Sequence, residues 1–276
     1  MNTLPLPDNW IDRPVTIALV GAGGTGSQLA DALGSLQATL MALGHPGFNV
    51  AVFDPDTVSE SNLGRQRFTR SDIGHAKAVL LCHRINAFYG VDWSSRVGKF
   101  PIRDASRFDL ILTCTDKAKF RAELAQAASR ESWNRVNWWL DCGNASATGQ
   151  VVLGQLNGRP CDQRIPHVVD LFPEQFTPEG IAAADADDTP SCGAAEALAR
   201  QQWPVNRVAA QIASELLWSW FRHGRITHHG AQFQLDPMRI QPLPIDPKVW
   251  ACFGYVVLPT KKTRTTPKKT SHRQAA

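Results

Sequence analysis

Six residues, Val15-Thr16-Ile17-Ala18-Leu19-Val20, form a continuous, largely apolar run that stops abruptly at glycines and is followed by leucines at 29, 33, 36 and 40. A short unbroken apolar run suits a strand buried on both faces. The leucine spacing paints one stripe along a helix starting near Thr25. The same alternation recurs downstream. Residues 48–53 predict a second strand ending at Asp54, and Ala78, Leu81, Cys82, Ile85 and Phe88 predict a helix over 74–88. A weaker strand falls near 95–100, and an apolar strand over 110–115 ends at Asp116. A helix over 117–130 and the strand Trp138-Trp139-Leu140-Asp141-Cys142 complete the series. Strands alternating with helices predict an α/β, Rossmann-like, doubly wound and mostly parallel sheet.

The pattern changes after Gly143. Residues 150–156 predict a strand of a second layer or an antiparallel extension, and 157–190, rich in Pro, Gly and Asp, reads as a long crossover loop. Loops of that length are usually functional or disordered. Val208, Ile212, Leu216 and Trp220 mark one face of a long helix from Asn206, with Gly224 placed to stop it. Alternation over 231–235 predicts a short antiparallel pairing across Asp236-Pro237. The expected organisation is a nucleotide-binding core over 1–156, a crossover loop and C-terminal extension over 157–259, and a disordered basic tail over 260–276.

Charge sharpens that division. The formal net charge is +4, but Lys261, Lys262, Arg264, Lys268, Lys269 and Arg273 all lie in the tail, so residues 1–259 carry −2. A Thr/Pro/Lys segment without apolar period stays unfolded. Electrostatic contact with nucleic acid is open to it, though solvated decoration is the favoured reading. No apolar run approaches the roughly 20 residues that cross a bilayer, and the first 14 residues lack a secretory pattern, so a cytoplasmic protein is expected. The six cysteines, at 82, 114, 142, 161, 192 and 252, include no C-x-x-C and signal neither zinc nor a disulfide framework.

Candidate chemistry concentrates between residues 21 and 121. Gly21-Ala22-Gly23-Gly24-Thr25-Gly26 follows a strand and opens a helix, a unit that lets backbone N–H groups meet phosphates. Asp54, ending the second strand, stands where a ribose-binding carboxylate belongs, although it also starts an Asp-Pro turn. Asn62, Arg65 and Gln66 supply donors suited to a triphosphate, the planar Arg fork above all. Lys77 and His75 sit near a helix start, where positive charge calls for a compensating anion such as phosphate. For Mg²⁺, held by one or two carboxylates plus phosphates, the strand ends provide Asp116 and Asp141, with Asp116 preferred. Asp116 is equally suited to cap the helix that follows.

The string Asp54-Pro55-Asp56-Thr57-Val58 leading into Ser61-Asn62-Leu63-Gly64-Arg65-Gln66 resembles the superfamily containing ThiF, MoeB and the ubiquitin-activating enzymes, the likeness running from Val15 to about Leu156. The resemblance implies ATP-dependent adenylation of the C-terminal carboxylate of a small ubiquitin-like or sulfur-carrier protein, with Mg²⁺. It implies that Gly21, Gly23, Gly24 and Gly26 form the nucleotide loop and that Asp54 meets the ribose. Asn62, Arg65 and Lys77 match phosphate-contacting positions, Asp116 the aspartate linked to Mg²⁺ and catalysis, and Arg121 the arginine of an Asp-Asn-x-x-x-Arg motif. Relatives are commonly dimers, and a homodimer is expected. The second half, with Pro190-Ser191-Cys192, the helix from Asn206 and His229-Gly230, is similar to ThiF-like proteins of PRTRC plasmid cassettes.

Three departures stand out. Lys117 replaces the usual Asn, zinc-binding cysteine pairs are absent, and little chain precedes Val15 to supply the arginine finger of MoeB-like dimers, for which Arg13 is the available substitute. Cys192 is a candidate acyl acceptor: it precedes a predicted helix over 194–201, which lowers a thiol pKa, while Asp185, Asp187 and Asp188 oppose a thiolate. Two rival functions remain. A nicotinamide-dependent oxidoreductase fits the glycines and Asp54 but leaves Asn62, Arg65 and Asp116 without a task. A non-catalytic adaptor on the same fold fits Lys117 and the missing finger.

Overall fold

The computed structural model describes residues 2–130, 137–157, 164–186 and 202–257. The strands are β1 (Leu4–Pro5), β2 (Val15–Val20), β3 (Phe48–Asp54), β4 (Ser94–Val97), β5 (Leu110–Thr113), β6 (Trp138–Asn144), β7 (Thr148–Gln155), β8 (Arg225–Ile226), β9 (His228–Leu235) and β10 (Met238–Pro244). The helices are α1 (Gly24–Ala42), α2 (Lys77–Tyr89), α3 (Ala118–Arg130), α4 (Val168–Leu171), α5 (Pro178–Asp185), α6 (Val205–His223) and α7 (Pro247–Cys252).

One eight-stranded sheet runs β10-β9-β7-β6-β5-β2-β3-β4. Its five central and far strands, β6-β5-β2-β3-β4, are parallel, while β7, β9 and β10 continue it antiparallel. The mostly parallel α/β architecture therefore stands as the sequence predicts. The strand over 150–156 belongs to this same sheet, with Leu140 opposite Leu153, because a buried β6 needs its outer backbone N–H and C=O groups paired. The Pro/Gly-rich stretch after residue 157 is less irregular than its composition suggests. Its described part folds into α4, a 3₁₀ turn at Pro173–Phe176 and α5, which Thr177 caps by accepting from Gly180 N–H at 3.0 Å.

The chain runs β2, β3, β4 outward in one direction and then returns to start β5 and β6 in the other. The strand order thus switches between β2 and β5, and a crevice opens there at the carboxyl ends. Helix α1 packs on α2 and α6, while α3 packs on α4 and α5, so the helices form two separate layers. Both faces of the sheet are consequently dry: Ile17, Leu19, Leu110, Ile111, Leu112, Trp139, Leu140 and Leu153 have almost no exposure. Gly224, with φ +68°, ends α6 as expected.

The N-terminal segment is tied to the C-terminal one. Leu4 registers with Ile226, and Trp10 packs edge-on to Trp220 at 5.2 Å between ring centroids and stacks on Phe221 at 5.8 Å. Arg13 lies at the amino ends of the strands, opposite the crevice. Its fork meets Asp109 through two hydrogen bonds of 2.7 and 2.8 Å, and Asp109 also accepts from the Thr16 N–H and hydroxyl. This pairing engages the Arg13 guanidinium within its own chain.

Candidate active site

The crevice floor is built by backbone close approach. Gly21, with φ +95°, lies in a region that favours glycine, and a side chain there would come within 2.8 Å of the Cys114 carbonyl at the end of the neighbouring strand. Gly26 faces the Gly21 carbonyl so closely that no side chain fits. Gly23 differs: nothing lies within 4 Å of where its side chain would be. It is the N-cap of α1, no side chain caps that helix, and its first turn holds no acid. Helix N–H groups thus face open space at the switch point, an arrangement suited to an anion. That open cradle fits a nucleotide phosphate.

Asp54 does more than the sequence indicates. Its Oδ2 accepts from Ala22 N–H at 2.6 Å and its Oδ1 from Asp56 N–H at 2.8 Å, so one carboxylate shapes both the glycine loop and the turn leaving β3. Burial pushes its pKa above the ordinary carboxylate value, opposed by those two N–H groups and by Lys77. Each oxygen retains acceptor capacity, so ribose contact remains compatible with these bonds.

The excursion from Asp54 to Lys77 is closed on itself. Val58 and Gly74–His75 exchange backbone bonds, and Lys77 N–H donates to the Asp56 carbonyl at 3.0 Å. Lys77 begins α2 while only 6% exposed, and its Nζ lies 3.1 Å from Asp56 Oδ2. The anion that a buried cation at a helix start demands is therefore Asp56, a residue the sequence reading left without a role. Asp56 is itself largely exposed, so its ion pair is easily remade with a phosphate. His75 is exposed, with Nδ1 3.3 Å from the Asp72 carbonyl.

Asn62 is buried and its Oδ1 accepts from Ser59 N–H at 2.9 Å, which leaves its N–H₂ as the part able to meet a phosphate. Arg65 is partly buried, and loss of solvent lowers its pKa from the ordinary arginine value; it stays cationic. Gln66 is 8% exposed, and its backbone N–H donates to the Asn62 carbonyl at 2.9 Å. The stretch is held beside the first turn of α1 by Arg67 N–H donating to Ser27 Oγ at 3.2 Å. The glycine loop, Asp54, Asn62, Arg65 and Lys77 thus sit on connected elements at one end of the sheet.

Asp116 is exposed just beyond β5. It does not cap α3. That task falls to Asp185 at the end of α5, whose carboxylate accepts from Ala118 N–H at 2.9 Å and Lys119 N–H at 3.3 Å. Asp141, the other candidate for Mg²⁺, has no solvent exposure and is bound to Arg121 and Thr113. Among the described residues no cluster of three His, Cys, Asp or Glu side chains has metal-binding geometry. A single exposed carboxylate beside a phosphate cradle nevertheless fits a cation brought by the nucleotide. Cys192 and the basic tail lie outside the described residues.

Sequence reasoning missed Asn206, Thr25 and Trp203. Thr25 Oγ1 lies 3.0 Å from Asn144 Oδ1 and 2.9 Å from Asn206 Oδ1, and Trp203 Nε1 donates to the Gly64 carbonyl at 3.1 Å. Nothing local to residues 203–206 signals a contact across that span of chain.

Fold and crevice together define a Rossmann-like, nucleotide-binding type of fold. The chain belongs to the ThiF family, whose sequence model matches residues 13–249. Its fold is similar to that of E. coli MccB solved with ATP, at 14% identity and TM-score 0.54 over 90% of this chain and 66% of MccB. MccB solved with MccA-N7isoASN gives 15% identity and TM-score 0.56 over the same shares, and PaaA gives 16% and 0.53 over 84% of this chain and 64% of its own. The chain thus spans about two-thirds of the length of these structures. No curated protein sequence matches it. No described helix is long and apolar enough to cross a membrane.

Proposed function

We propose that this protein adenylates the C-terminal carboxylate of a small ubiquitin-like or sulfur-carrier protein, using ATP and Mg²⁺. The observation that carries the reading is the glycine cradle, open at Gly23 and flanked by two cations, partly buried Arg65 and buried Lys77. Solved states of E. coli MccB with ATP and with AMPCPP and MccA lend support from the same fold.

In this reading the attacking carboxylate needs no base, being ionised at neutral pH. A carboxylate oxygen bonds to the α-phosphorus as the bond to the pyrophosphate oxygen breaks, and pyrophosphate leaves with the electron pair. The chain's part is positioning and charge stabilisation. Helix N–H groups at Gly23 and the Arg65 and Lys77 cations hold the phosphates, Asn62 and Gln66 orient them, and Asp54 holds the ribose. Asp116 would hold the magnesium ion, which when bound neutralises phosphate charge. Cys192 would then take the acyl group, its thiolate displacing AMP to give a thioester. The remaining elements of the reading are a PRTRC-type cassette context, a homodimer and a cytoplasmic location.

The test is ATP–pyrophosphate exchange with small ubiquitin-like or sulfur-carrier proteins that end in a C-terminal Gly. Exchange in the wild type and its loss in Arg65→Ala are expected; wild-type rates in that variant would refute the assignment. A reducible adduct that disappears in Cys192→Ala identifies the acceptor thiol. Binding of NAD but not ATP would favour an oxidoreductase, and partner binding without ATP turnover an adaptor.

A further inference from the structure

Both phosphate-facing stretches are touched by one short piece of chain far away in sequence. Trp203 and Gly64 are 139 residues apart, and Asn206 and Thr25 are 181 apart. Asn206, in the first turn of α6, is 4% exposed, and its carboxamide stands where a side chain on Gly24 would be, with Nδ2 2.6 Å from that position. Thr25 presents its hydroxyl to Asn206 and Asn144. Trp203 holds the Gly64 carbonyl, and the Arg207 guanidinium lies 4.2 Å over the Trp203 ring. Gln202 N–H donates to the Ser146 carbonyl at 2.8 Å.

Local sequence does not hold this loop. Gly24 and Gly26 both lie in the first turn of α1, and glycine loses more backbone freedom on ordering than alanine does. The N-cap is a glycine with no side-chain bond to offer. Order must come from tertiary contact.

We infer that Asn206 is a positioning residue for the nucleotide loop, with Trp203 holding the adjacent Asn62–Gln66 stretch, so that the phosphate cradle takes its shape only while the start of α6 is docked. An amide suits this place because it fills the gap left by Gly24 and accepts from Thr25 without setting a negative charge beside phosphates. By linkage, a nucleotide in the cradle strengthens docking of α6 in return. The consequence for affinity rests on the ATP reading above; the consequence for loop order does not.

Two measurements separate these. In amide hydrogen exchange of the full chain, the peptide covering residues 21–27 is expected to exchange about tenfold faster in Asn206→Ala, a change worth about 1.4 kcal/mol. In calorimetric titration with Mg·ATP, Kd is expected to rise about tenfold in the same variant. Asn206→Asp keeps the acceptor for Thr25, so exchange should stay near wild type while ATP binding weakens through charge. Thr25→Val, which removes the hydroxyl at constant shape, repeats the exchange result should Asn206→Ala fail to fold. Unchanged exchange in the variant tested overturns the inference. Faster exchange in a protein whose wild type binds no ATP would sustain the positioning role and remove the adenylation reading instead.

Discussion

Arg121 Nε donates to Asp141 Oδ1 at 2.6 Å, with both side chains almost free of solvent. Burial works against the arginine's charge, but Asp141 outweighs it and raises the pKa. The same guanidinium donates to the Cys142 carbonyl at 3.3 Å, so it joins α3 to the end of β6. Arg121 is thus a buried strut in this structure. Arg121→Ala leaves a buried carboxylate without its cation, and such a loss costs about 3–5 kcal/mol. Urea unfolding should register it; a midpoint unchanged from wild type would contradict the role.

Asp185 reaches α3 from the far end of α5. Replacing it with alanine removes a carboxylate from a helix N-terminus, a change of about 1 kcal/mol. Faster amide exchange at Ala118 and Lys119 is the specific sign to look for. Equal protection in Asp185→Ala and wild type would mean that these N–H groups have other partners.

Asp116 is exposed, so Asp116→Asn should fold with wild-type thermal stability. If the carboxylate holds a cation carried by the nucleotide, the Mg²⁺ concentration for half-maximal pyrophosphate exchange rises about tenfold, or about 1.4 kcal/mol. A Mg²⁺ dependence identical to wild type would remove Asp116 from the cation site.

Acid should weaken the fold well before carboxylates titrate. His229 has no exposure, accepts from Trp250 Nε1 at 2.9 Å, and therefore donates through Nδ1 to the Leu153 carbonyl at 2.7 Å as a neutral ring. Burial depresses both His229 and His167 to about 4. With folded values below the unfolded one near 6.5, their contribution is complete above pH 6.5 and is lost as pH falls towards 4. Linkage puts the loss at about 2 kcal/mol per histidine by pH 5. Denaturant midpoints at pH 7.5 and 5.0 give the comparison, and a flat profile would count against two buried neutral rings.

Much of the architecture is legible in the chain itself, because periodicity and apolar runs report directly on burial. The strands at 15–20, 48–54 and 110–113, the glycine loop and the helix ended by Gly224 all follow from local pattern. The short helices within 168–185 are masked in the sequence by Pro173 and Pro178, which stand there at helix starts. Asp116 and Asp141 look alike as strand-end carboxylates; only packing distinguishes an exposed group from one sealed against Arg121.

What the amino-acid order determines alone is therefore a list of strands and helices and a set of donors suited to a nucleotide. Which charges are already spent was decided by the folded molecule: Arg13 on Asp109, Lys77 on Asp56, Arg121 on Asp141, and the α3 cap on Asp185. Asn206 joins the glycine loop for the same reason. Such pairings link residues as many as 181 positions apart, and a contact of that range leaves no period or local composition by which a linear chain could announce it.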